Sequence, residues 1–163
     1  MYRSLLTLLL LFLLCTCAPS PETAEAPAEN PAPAANTAAA VTYPSIDLDR
    51  LVYLYKNATY MDATFYNLPI SINQSALEQI QQTIATVGED PATIKPDCSA
   101  IGHIWFQVNG KNVEEADIYF QAGCIAYVWY ENGKPAYSNM MTEGGVAFYN
   151  NIFSSLQQQG GGE

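Results

Sequence analysis

The chain is short of the residues that most often carry chemistry. Among 163 residues there is one histidine, His103, and no Cys-x-x-Cys pair, which argues against a four-ligand structural zinc site and a thioredoxin-like redox centre. Gly-x-Ser-x-Gly is absent, and with it the strained turn that presents a serine nucleophile. Lysine and arginine total six against sixteen acidic residues, a formal charge of −10. That balance repels phosphate backbones and anionic head groups, so nucleic acid is excluded as a partner. Asp47-Leu48-Asp49 lacks the glycine turn and distal glutamate of a calcium loop. No internal repeat occurs, no motif calls for a cofactor or metal, and no apolar run reaches the roughly 20 residues that a membrane-spanning helix needs.

What is present begins with an address. Arg3 precedes an almost unbroken apolar run over residues 5–14, followed by small and polar residues, the pattern of a secretory signal peptide over 1–16. The end of the run, Leu14-Cys15-Thr16-Cys17, resembles the lipobox of bacterial lipoproteins, where a Leu three places before a Cys directs lipidation of that Cys and cleavage ahead of it. The resemblance implies lipid attachment at Cys17, a membrane partner reached through that lipid, and an extracytoplasmic domain anchored to the cell envelope. Ala18 stands where an aspartate would favour inner-membrane retention in such lipoproteins, which implies the outer membrane where the host has one. An ordinary signal peptide with incidental cysteines is the alternative.

Residues 18–42 carry five prolines, three glutamates and no aromatic residue. Such a segment cannot bury enough apolar surface to offset its ordering entropy, and with Cys17 it reads as a lipidated, disordered tether over 17–42. A chain of that length would hold the following domain roughly 30 Å from its anchor. Cleavage would also remove Arg3, leaving five basic residues against sixteen acidic ones, a formal charge of −11.

A single globular domain is expected over 43–159, with a frayed tail at 160–163. Its centre is the stretch 98–141, read as a four-strand antiparallel meander. Residues 103–109 alternate, with Ile104, Phe106 and Val108 against His103, Trp105 and Gln107, the period of a half-buried strand. Asn109-Gly110, Ala122-Gly123 and Asn132-Gly133 mark the reversals, and Asn-Gly suits a two-residue type I′ turn because both positions need positive φ. Chaining the last two turns pairs Phe120 with Ile125, Ile118 with Tyr127, Ala116 with Trp129, Trp129 with Ala136 and Tyr127 with Ser138. A two-residue turn at Asn109-Gly110 would set Glu115 against Ile104, so a longer loop or a bulge is expected there. Residues 45–56 suit a short helix, and 59–72 an extended segment with Pro69 at an edge or bend. Ser75-x-x-Glu78 is a capping-box pattern ahead of a helix whose stripe is Leu77, Ile80, Ile84 and Val87, ended by a left-handed Gly88. A last helix over 142–157 buries Val146, Tyr149, Ile152 or Phe153, and Leu156. These elements make an α+β fold in which four to five antiparallel strands pack against two or three helices.

Outside the cytoplasm, Cys98 and Cys124 are the natural partners of one disulfide. Closing a loop of about 27 residues would stabilise the fold by roughly 3–4 kcal/mol. The face opposite the inferred core collects Trp105, Tyr119, Tyr130 and Tyr137, residue types that recur in binding surfaces. They are the binding candidates, unless the strand from Thr59 or the segment 45–56 covers that face. The expected function is an envelope lipoprotein whose domain binds a protein, glycan or small ligand. The alternatives are a hydrolase using His103 with Asp117, which requires a cleft where the two converge, and a purely structural envelope protein.

Overall fold

The computed structural model describes residues 39–160. The signal peptide, Cys17, the tether through residue 38 and the tail from residue 161 lie outside the described residues. In chain order the elements are β1 (Val41–Thr42), α1 (Leu48–Asn57), β2 (Tyr60–Phe65), β3 (Ser71–Gln74), α2 (Leu77–Ile84), β4 (Thr93–Ile94), β5 (Gly102–Val108), β6 (Lys111–Gln121), β7 (Cys124–Glu131), β8 (Lys134–Met140) and α3 (Glu143–Gly160). The fold class is α+β. Six strands form one antiparallel sheet in the order β3-β2-β5-β6-β7-β8, one more than the largest number expected, and β1 pairs with β4 in a separate two-stranded sheet. The extended segment expected over 59–72 is folded back on itself, with Pro69 in the bend between β2 and the edge strand β3.

Turn chemistry sets the meander. Asn109 and Gly110, and again Asn132 and Gly133, all have positive φ, as two-residue I′ turns require. The β5–β6 hairpin then takes a bulge between Phe106 and Gln107, which moves Ala116 rather than Glu115 opposite Ile104 and keeps apolar side chains on one face. The β6–β7 register pairs Ala116, Ile118 and Phe120 with Trp129, Tyr127 and Ile125.

The β7–β8 register departs from expectation. A shift between Trp129 and Tyr130 pairs Trp129 with Tyr137 and Tyr127 with Asn139, not with Ala136 and Ser138. Pro135 has no N–H to give the ladder, so pairing is weak just past the turn and a bulge costs little there. A one-residue slip exchanges the faces: Tyr137 moves to the helix side, where Arg50 of α1 lies 4.9 Å over its ring.

All three helices lie on one side of the large sheet. Leu54 of α1, Ile80 and Ile84 of α2 and Tyr149 of α3 close over Met61, Ala63, Phe65, Ile104, Phe106, Ala116, Ile118, Tyr127 and Trp129. Apolar packing, rather than capping, holds α2. Its N-cap is Ala76, with no side-chain capping bond, so the Ser75–Glu78 box does not form. The helix stops at Ile84, before Gly88, and Gly88 is needed for another reason: a Cβ there would sit 2.7 Å from the carbonyl oxygen of Met140. Within this core Thr86 Oγ, Tyr127 OH and Tyr149 OH form a buried chain at 2.7 and 3.0 Å. Burial outweighs those bonds and pushes Tyr127 up to about 12, keeping it neutral.

The other sheet face is covered over its β7–β8 half, though not by the segments expected. Residues 59–65 extend the sheet and 48–57 pack on the helix side. The cover is β1, β4 and their flanks, with Tyr43, Ile94 and Pro96 beside Tyr119 and Val128, and Thr93 near Cys124 and Ala126. The ordered domain therefore begins before Tyr43, taking in Val41 and Thr42, which the composition assigned to the tether. Two fully buried residues of β8 make ties on opposite faces. Ser138 Oγ staples this cover, donating to the Ala92 carbonyl at 2.8 Å, whereas Asn139, on the helix side, accepts from Ile46 N–H at 3.1 Å and donates to the Gly88 carbonyl at 2.9 Å. A disulfide joins Cys98, beyond β4, to Cys124 at the start of β7.

Candidate functional site

Two places on the domain bear on function. The first is the open half of the outer sheet face. His103 and Asp117 are Cα partners on β5 and β6, and the His103 Nδ1 to Asp117 Oδ1 distance is 2.7 Å. Tyr130 of β7 donates to Asp117 Oδ2 at 2.7 Å, and Tyr66, just past β2, donates to Oδ1 at 3.2 Å. Burial by itself would raise the Asp117 pKa; the hydrogen bonds from His103, Tyr130 and Tyr66, with the His103 charge, outweigh it and hold the carboxyl below the usual range. Tyr130 is pushed well above its ordinary value by burial and by the Asp117 charge it donates to.

This is the geometry that orients a general base, because a carboxylate on Nδ1 leaves Nε2 to act. Among the described residues the pair has no further parts of such a site beside it. Both side chains are only 13% exposed, and His103 Nε2 itself is buried without a hydrogen-bond partner. Its charged neighbour is Glu115 Oε2 at 3.6 Å. The ring lies between Trp105, with centroids 4.4 Å apart, and Tyr130 at 5.5 Å. No serine or cysteine hydrogen-bonds His103 among the described residues, and a base whose nitrogen is sealed from solvent cannot meet a substrate in this conformation. The dyad acts here as a tie between strands.

Of the four aromatic binding candidates, the structure brings three together. Trp105, Tyr119 and Tyr130 share the outer face with Asp117, and all three are half-buried, not mostly accessible. Tyr119 lies against Tyr43 and Val128, beneath the small sheet. Tyr137 is on the opposite face, its hydroxyl donating to Glu131 at 3.0 Å. It belongs to the clamp that holds α1: Arg50 grips Glu114 through two bonds of 2.6 and 2.7 Å and reaches Glu131 at 3.2 Å.

The second place is a groove of about 360 Å³ between α1 and α2, lined chiefly by Ile46, Leu48, Leu51, Val52, Tyr55, Ile84 and Val87. Its rim is unusual for a surface helix: Leu48 is 67%, Val52 37% and Tyr55 45% exposed. Of its polar lining, the Asn139 amide is bonded at both ends within the protein, and Glu89 stands at the edge. An apolar recess of this size is what apolar ligands occupy. The signal was in the sequence: one helix face needs only Leu51 and Leu54 to dock, and Leu48, Val52 and Tyr55, at i, i+4 and i+7, are a second apolar stripe.

Cys17 lies outside the described residues, and no described helix is long and apolar enough to cross a membrane. Among the described residues no group of three or more histidine, cysteine, aspartate or glutamate side chains could hold a metal ion. Comparison of the chain with family models, with curated proteins and with solved structures gives no match.

Proposed function

We propose that the protein is an envelope lipoprotein, anchored through Cys17 to the outer membrane of its host, whose extracytoplasmic domain binds an apolar ligand in the groove between α1 and α2. The observation that carries the binding reading is the groove with its exposed rim of Leu48, Val52 and Tyr55. Three large apolar side chains at helical spacing are left in water beside a recess lined mostly by apolar side chains, and covering them returns roughly 25 cal/mol per Å² of apolar surface. The shared chemistry of the guest is aliphatic or aromatic surface, from a small molecule or from a partner's side chains. The anchor rests on Leu14 three places before Cys17 and on the soluble-looking segment behind it.

The two parts separate experimentally. Cys17→Ser should move the protein from membrane to soluble fractions, and full membrane retention would overturn the anchor. On that released chain, the uncharged apolar dye Nile red should bind, and Leu48→Asp with Val52→Asp should weaken it about tenfold or more while leaving the thermal midpoint within a few degrees, since both positions are exposed. Unchanged dye affinity in the double variant would remove the groove from the account.

A further inference from the structure

Trp105 stands in the middle of the outer face, and its flanks are of one sign. Its Cα partners are Asp62 on β2 and Glu115 on β6, so the three side chains form one row across three strands. With neighbouring strands about 4.8 Å apart, each acidic position lies one strand spacing from the indole. Asp62 accepts a single hydrogen bond, from the Asn73 amide at 2.7 Å. Glu115 accepts none among the described residues, its contact being His103 Nε2 at 3.6 Å. The domain's one arginine, Arg50, is engaged elsewhere, with Glu114 and Glu131. Trp105 packs against His103 on one side and stays half-buried, outside the area covered by β1 and β4.

An aromatic ring between two carboxylates has the chemistry of a cation receptor, because the negative ring face and both charges favour the same guest. We propose that the row Asp62, Trp105 and Glu115 binds the guanidinium or ammonium side chains of a basic peptide. A peptide fits better than a lone cation because the two acidic positions lie on either side of Trp105, two strand spacings or about 10 Å apart. Two basic side chains of one segment would each meet one carboxylate, with the indole between them. This site is separate from the groove, which lies on the helix side of the sheet.

Calorimetric titration of the full chain, in non-ionic detergent at low salt, with a capped tetra-arginine peptide should give saturable binding at one site. Asp62→Asn and Glu115→Gln, which keep shape and remove charge, should each weaken it about 5- to 10-fold. Trp105→Leu should weaken it about 3- to 10-fold. Glu78→Gln and Glu143→Gln take the same charge from exposed positions on α2 and α3 and should change it less than twofold. Equal losses from all four charge removals would show only general acidity and overturn the site. Absence of saturable binding would overturn it as well, and so would tighter capture of phosphatidylcholine vesicles than of the peptide.

Discussion

On its helix side the six-stranded sheet is closed by apolar packing, whereas on its outer side it is closed by polar ties over one half and left open over the other. Trp129, Tyr127, Phe106 and Ile104 are at most 1% exposed beneath Leu54, Ile80 and Tyr149. Across the sheet, the β7–β8 half is held by two short strands, the Ser138 staple and a disulfide, and the part beyond it keeps Trp105 half-buried beside the His103–Asp117 pair. Apolar closure is strong and insensitive to pH or redox state; polar closure is local and responds to both. The disulfide and the Asp117 bonds are both on the outer side, whereas the helix side has as polar ties the Arg50 clamp at the start of α1 and the Asn139 amide.

The largest effect should come from the helix side. Trp129→Ala removes the largest of the fully buried side chains, and should cost about 3–5 kcal/mol by denaturant titration. A loss below about 1 kcal/mol would break the contrast between the faces. On the outer side, replacing Cys98 and Cys124 by serine releases a constraint between positions 26 residues apart, and should cost roughly 3–4 kcal/mol if the unfolded chain is close to random. Intact mass before and after reduction with alkylation checks the bond itself: two free thiols in the native protein would contradict it.

A smaller effect should follow Asp117→Asn, about 1–3 kcal/mol, since the amide cannot accept all three hydrogen bonds that the carboxylate does. Because the folded pKa of Asp117 is depressed, its contribution is fully present above the ordinary aspartate range and is lost as the pH falls through the lower folded value. Stability curves of the native chain and Asp117→Asn should therefore converge under acid. Parallel curves would mean that Asp117 is not the group titrating.

Much of the meander was legible because its signals are local. Asn-Gly at two reversals demands positive φ at both positions, and two-residue turns transmit register without help from the rest of the chain. That chain of inference stopped at Ala136, where a bulge beside Pro135 moved Tyr137 to the other face. The clamp it joins, between Arg50 and Glu114, links residues 64 apart in sequence and has no local mark. The failed capping box has a similar cause, for Ile80 and Ile84 fix α2 by burial wherever Ser75 points. At the candidate sites the alternation of β5 and β6 put His103 and Asp117 on one face, but their pairing depends on where the bulge falls, and the sealing of Nε2 depends on Trp105 and Tyr130 from two strands. The groove was not legible because the apolar positions of α1 populate two faces and nothing local says which one docks.

The central claim is that the apolar rim between α1 and α2 is a binding surface and not a flaw in the core. It is tested most directly by amide and methyl chemical-shift mapping of the Cys17→Ser chain titrated with an uncharged alkyl ligand such as dodecanol. The account predicts saturating shifts at Leu48, Leu51, Val52, Tyr55, Ile84 and Val87, with the Trp105 row unmoved. Shifts confined to the outer face, or none that saturate, would contradict it.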